Sequence, residues 1–263
     1  MRELMSSFLS NDSAFGRVMT HCGVVIGANI MFVLFSLPVI TAGASYTALE
    51  YTIFRRERGD GVINPFKEFW KGFRMNWKQA TITSVIAAIL GIFLLVDIRI
   101  AVLAGGALAV LRYPLYALLI IEISLLIWIF PAIASFKDTL PHLVRNSVYF
   151  SLHRIWKLPI LLFFHLFSFY LSFTDVQMQP LYAFIWSFFG FGLLAALDAK
   201  LILPEFVPYL PAVDEYGDFI IEPESGIDAD LEASIEAADP AAGSQAAQKS
   251  EKEILEEMQR LGM

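Results

Sequence analysis

Residues 18–49, VMTHCGVVIGANIMFVLFSLPVITAGASYTAL, run for 32 positions without one Asp, Glu, Lys or Arg. A hydrocarbon layer of about 30 Å needs roughly 20 apolar residues of helix, so this stretch is long enough to cross a bilayer. The whole chain agrees, with 57% hydrophobic residues, 23 Phe and only 17% charged residues among 263. That balance belongs to a membrane protein rather than to a water-soluble domain. The expected fold is all-α, a polytopic membrane helix bundle of about five transmembrane helices with interfacial amphipathic helices. The spans are expected at residues 18–39, 80–96, 115–135, 158–174 and 181–203. A further apolar run, 100–111, is too short to cross; Gly105 and Gly106 within it, and Arg112 and Pro114 beyond it, mark an outer-face loop or a re-entrant piece.

Charge divides the chain. Residues 1–204 hold 16 Lys+Arg against 11 Asp+Glu, and residues 205–263 hold 3 against 15. The acidic balance of the whole therefore describes a tail. The domain organisation read from this is a membrane domain over 1–211, an acidic linker over 212–248 and a short amphipathic helix over 249–263. The linker is rich in Ala, Ser, Pro and Gly and too poor in apolar residues to build a core, so disorder is expected. In the last segment Ile254, Leu255, Met258 and Leu261 share one helical face, suited to contact with a partner or with the chain's own basic loops.

Lys and Arg also set the expected orientation. The connection 54–78 carries seven of them and 137–157 carries four, whereas the other two connections hold two and none. The basic connections are expected in the cytoplasm, which with five spans puts the N-terminus outside and the tail inside. Within the first basic connection, Phe66, Phe69, Trp70, Phe73 and Trp77 fall on one helical arc of about 100°. Lys67, Lys71, Arg74 and Lys78 occupy the adjoining arc. This pattern predicts an amphipathic helix lying in the headgroup layer, aromatics down and cations toward anionic lipid. A docking helix for a partner subunit fits the same residues. Nucleic acid is excluded as a partner because aromatics and cations are segregated rather than interleaved.

Pro38 lacks the amide proton that would continue a helix ladder, and Gly43 tolerates unusual backbone angles. A break is expected between them, with a helix resuming over about 45–56. Pro131 marks a second expected break. Titratable or strongly polar groups inside apolar spans are the default site candidates: Glu122, His21, Asn29 and His165. Glu122 is either protonated and hydrogen-bonded to a neighbouring helix, or ionised beside a water-filled cavity where it relays protons or binds a cation. Asp198, two residues from Lys200, is expected to reach the membrane interface. Asp138 and His142 share a face at i,i+4 but have no third ligand nearby. Cys22 is the only cysteine, so neither an intrachain disulfide nor a multi-cysteine metal site is expected. No HExxH, GxSxG or P-loop pattern occurs. The expectation is a protein without catalytic residues, metal or cofactor.

A start of the form Phe8-x(3)-Asp12, Asn29 within the first span, SLPVITAGASYTAL (36–49), the basic patch and FKEFWKGFRMNWKQAT (66–81) resemble the YesL-like family of bacterial integral membrane proteins of unknown function. A looser likeness continues through FPAIASF (130–136) and Asn146. The resemblance implies a membrane domain of roughly 200 residues and, by genomic association, a link to ABC-type carbohydrate uptake. It supplies no catalytic residues. On that basis the expected role is a non-enzymatic accessory or regulatory component, with ABC-type sugar transporter subunits and anionic lipid headgroups as partners. A small-solute or ion-coupled transporter is the alternative, motivated by Glu122 and the break at Pro38, and an intramembrane enzyme is a third. The sequence does not define an oligomeric state.

Overall fold

The computed structural model describes residues 13–59 and 63–210. Every described residue belongs to one compact unit. The acidic linker, and the helix that would present Ile254, Leu255, Met258 and Leu261, lie outside the described residues.

Helix α1 (Ala14–Phe35) begins at Ser13, whose hydroxyl accepts from the Gly16 amide at 2.9 Å. It stops where Pro38 withholds an amide. A short 3₁₀ turn, Val39–Thr41, leads into α2 (Ala42–Arg58). The Thr41 hydroxyl lies 2.7 Å from the carbonyls of both Phe35 and Pro38, the second of which also takes the Thr41 amide at 2.8 Å. Gly43 is not part of the break. It sits in the first turn of α2, where a Cβ would lie 2.3 Å from Ser84 Cβ and 2.9 Å from the Ala80 carbonyl oxygen. Close approach of two helices, rather than turning, is what requires glycine here.

Helix α3 (Pro65–Ala104) is capped by the Asn64 side chain, which accepts from the Phe66 and Lys67 amides. Its 40 residues make it about 60 Å long, twice the depth of a hydrocarbon core. The expected interfacial helix and the expected second span are thus one helix. Phe69 is fully buried, and Phe69, Trp70 and Phe73 pack their rings 5.3–5.7 Å from Phe35. Part of the aromatic arc meets the end of α1 instead of lipid, while Phe66, Trp77, Lys67, Lys71, Arg74 and Lys78 stay exposed. The helix also absorbs the start of the 100–111 run. It ends at Gly105 and Gly106, both at positive φ (66° and 54°), a conformation that a side chain would strain.

After a 3₁₀ turn, Gly106–Leu111, come α4 (Arg112–Ser135) and α5 (Leu140–His153). Pro131 lies inside α4 without ending it, and the helix runs four residues further. The 3₁₀ turn Ile155–Lys157 opens into α6 (Leu158–Thr174). Next come α7 (Gln179–Ile185), a π-helical turn Trp186–Gly190 and α8 (Phe191–Phe206). The core gathers around the last third of α4, where Trp128 stacks near Phe150 and Phe206. Among the described residues, five stretches are long and apolar enough to cross a membrane: Phe15–Phe35, Pro65–Ala104, Gly106–Ser135, Ile155–Thr174 and Gln179–Tyr209.

Chain directions follow from side-chain contacts. His21 of α1 pairs with Glu57 of α2 at 3.2 Å while Phe32 packs on Tyr46, so these helices are antiparallel. Arg55 of α2 pairs with Glu68 of α3 at 2.9 Å, Tyr51 lies over Gly72 and Gly43 meets Ser84, so α2 and α3 are antiparallel too. Hence α1 and the first half of α3 run the same way along α2.

Candidate functional site

Tyr46 and Glu50 are four residues apart and share one face of α2, which turns toward α6 and α8. The Tyr46 hydroxyl donates to Asp198 Oδ2 at 3.1 Å and lies 3.4 Å from His165 Nε2. His165 Nε2 is itself 3.3 Å from the same carboxylate oxygen. Asp198 is fully buried, contrary to the interfacial position expected beside Lys200, because α8 turns this face onto α2 and the Tyr46 hydroxyl offers a donor in place of water. Glu50 is also fully buried and lies close enough to Asp198 and Tyr46 to interact with both, yet neither of its oxygens has a hydrogen-bond partner among the described residues.

Proton positions follow from these contacts. His165 Nδ1 faces the Leu161 carbonyl at 2.9 Å, and a carbonyl only accepts, so Nδ1 carries a hydrogen. Nε2 donates to Asp198 only when the ring is doubly protonated. With a hydrogen on Nε2 the ring donates to Asp198 across α6 and α8, and without it the same nitrogen is an acceptor facing the Tyr46 hydroxyl. Burial, and then the neighbouring Asp198 carboxyl, push the Glu50 carboxyl well above the usual carboxylate range, which favours its protonated form.

Tyr46 and His165 line a cavity of about 540 Å³ that is also bounded by α1, α3 and α4. Glu122 of α4 lines the same cavity. It is 8% exposed, and neither carboxyl oxygen has a partner among the described residues. Two of the four expected polar candidates, Glu122 and His165, are therefore brought to one space. Asn29 is not. It is fully buried, its Nδ2 donates to the carbonyls of Trp186 (3.0 Å) and Ser187 (2.8 Å), and its Oδ1 accepts from the Gly192 amide (2.8 Å). It satisfies backbone groups that the π-helical turn leaves open, which is a structural role. His21 is engaged with Glu57 instead.

Asp138 and His142 do pair, at 3.2 Å, but they are exposed and the same Asp138 oxygen takes the Thr139 amide. Among the described residues, no group of three or more His, Cys, Asp or Glu is placed to hold a metal ion.

Fold and site together define a multi-pass membrane helix bundle with a buried polar cluster beside an open cavity. Residues 25–98 match the model of a family described as "Protein of unknown function, DUF624", which is the YesL-like family. The matched segment contains Tyr46 and Glu50 but none of the other three cluster or cavity carboxyl and imidazole groups. No curated protein and no solved structure matches the chain.

Proposed function

We propose that the protein is a membrane transporter of a small solute whose movement is linked to protons. The observation that carries this is the cavity lined by Tyr46 and His165, which connect it to the fully buried carboxyl of Asp198 and to Glu50 behind them. Buried titratable groups at membrane depth are costly to keep, and here they join α2, α6 and α8 through contacts that depend on protonation. With a proton on Nε2, His165 donates to Asp198 across α6 and α8, and without it the same nitrogen faces the Tyr46 hydroxyl as an acceptor.

In proteoliposomes with an entrapped pH indicator, a panel of sugars, amino acids and amines is expected to include a solute that moves protons through the wild type. Asp198→Asn, which removes the acceptor shared by Tyr46 and His165, is expected to abolish that movement. No proton movement with any panel member, or unchanged movement in the variant, overturns the reading.

An accessory role in carbohydrate uptake is the second reading. It rests on the family resemblance and is favoured by the exposed row Lys67, Lys71, Arg74 and Lys78, which suits anionic headgroups or an acidic partner surface. In both readings the chain moves a solute, or assists its movement, and does not transform it.

We place the basic connections in the cytoplasm of a bacterial cell. Both ends of α1 meet the basic connection, His21 through Glu57 beside Arg55, Arg56 and Arg58, and Phe35 through Phe69, Trp70 and Phe73 on the turns that carry Lys67, Lys71 and Arg74, which supports putting the start of α1 on that same side. This differs from the outside N-terminus expected by counting five spans, because α2 returns along α1 before α3 begins. Cys22, the sole cysteine and an exposed one, reports on it. A membrane-impermeant maleimide is expected to label Cys22 only after the cells are opened. Labelling of intact spheroplasts would put the N-terminus outside.

A further inference from the structure

We infer that the cavity takes an amphipathic organic cation, with its charge against Glu122 and its apolar body against an aromatic wall. This rests on reading the cavity as a solute site, and deepens that reading by naming the chemistry of the solute.

The wall is continuous. Ring centroids step from Phe130 to Tyr46 (5.6 Å), to Phe32 (6.1 Å), to Phe191 (4.6 Å) and to Phe169 (6.2 Å), and all five rings line the cavity. Aromatic faces carry negative electrostatic potential and attract a desolvated cation.

Glu122 supplies the complementary charge. Its carboxyl sits over Gly91 of α3, where a Cβ would meet Oε1 at 3.5 Å and Oε2 at 3.6 Å in ordinary van der Waals contact and only a larger side chain would crowd it. A buried carboxyl with neither oxygen hydrogen-bonded awaits either a proton or a cation. The two compete for it, and binding a cation releases the proton.

The lining also argues against other classes. It contains no Lys or Arg, so a phosphate or carboxylate would find no counter-charge. Its polar side chains are Tyr46, Ser84, Glu122 and His165, and Ser84 is already bonded to the Thr81 carbonyl. A sugar, with a hydroxyl on nearly every carbon, would leave most of them unpaired among Leu, Ile and Phe. A volume of about 540 Å³ suits a compact ligand of drug-like size.

The test is equilibrium binding of tetraphenylphosphonium, with neutral triphenylphosphine oxide as its uncharged counterpart, to the purified full chain in detergent. Wild type is expected to bind the phosphonium more tightly than the oxide, and more tightly as pH rises and the proton on Glu122 is lost. Glu122→Gln is expected to weaken phosphonium binding about tenfold or more while leaving the oxide unchanged. Gly91→Val, which keeps the charge but fills the space at the carboxyl, is expected to weaken it as well, and reports even if Glu122→Gln does not fold.

Equal binding of phosphonium and oxide by wild type, or undiminished phosphonium binding by both variants, overturns the proposal and leaves an apolar crevice of the kind lipid tails fill. The two readings fail separately. Phosphonium binding without proton movement by any solute removes transport and keeps the ligand class, whereas proton movement by another solute without phosphonium binding does the reverse.

Discussion

Replacing Glu205 by alanine is expected to destabilise the fold by about 3–5 kcal/mol, the cost of leaving a buried charge without its partner. Lys157, at the start of α6, is only 7% exposed. Its ammonium donates to Glu205 Oε1 and, at 2.7 Å, to the Leu201 carbonyl, so the pair ties the beginning of α6 to the end of α8. Arg154 donates to the other Glu205 oxygen at 2.6 Å, but its side chain is 40% exposed and water takes over when that bond is lost. Arg154→Ala is therefore expected to cost no more than about 1 kcal/mol. Unfolding of the purified chain in mixed detergent and dodecyl sulfate compares the two. Equal losses for both variants, or no loss for Glu205→Ala, would mean that Lys157 finds water in the folded state and that the closure between α6 and α8 is not electrostatic.

Gly43→Val is expected to part α2 from α3. A Cβ at position 43 already falls inside the van der Waals envelope of Ser84 and of the Ala80 carbonyl, and the latter is backbone that cannot rotate away. Overpacking of this kind costs about 1–3 kcal/mol, sometimes more, and two further methyl groups place valine at the upper end. Ser84→Gly in the same chain removes one of the two obstacles and is expected to recover part of the loss. Because Gly43 and Tyr46 both line the cavity, the variant should also lose solute-linked proton movement. A Gly43→Val protein as stable as wild type would show that the two helices are not held at this distance.

How far the sequence carries depends on what each residue type has to reveal. The uncharged run from 18 to 49 and the break near Pro38 are legible because charge and a missing amide act locally, whatever packs against them. The spans are legible for the same reason. Glu122 and His165 stand out because each interrupts an apolar run. Glu50 does not. It closes such a run and leads into Arg55, Arg56 and Arg58, so it reads as the edge of a solvated patch, although α2 turns it into the interior. Its i,i+4 spacing from Tyr46 is the one signal that could have found it. Asp198 is misread for a related reason, since the nearby Lys200 suggests an interface and only the pairing with Tyr46 and His165 explains its burial. The arc from Phe66 to Trp77 shows that periodicity identifies an apolar face without saying what covers it. Lipid and the end of α1 demand the same residues.

Glu50, Asp198 and His165 form a buried polar cluster behind the cavity that Tyr46 and His165 line, and Glu50 holds a proton there. Infrared titration of the carboxyl stretch, on the purified wild type and on Glu50→Gln, tests it most directly. The account predicts a protonated-carboxyl absorption that persists at neutral pH in the wild type, fades only as the pH is raised further, and is weakened in Glu50→Gln. Superimposable carboxyl spectra, or a wild type with no protonated carboxyl at neutral pH, would mean that both buried acids are ionised and that the cluster holds no proton to exchange.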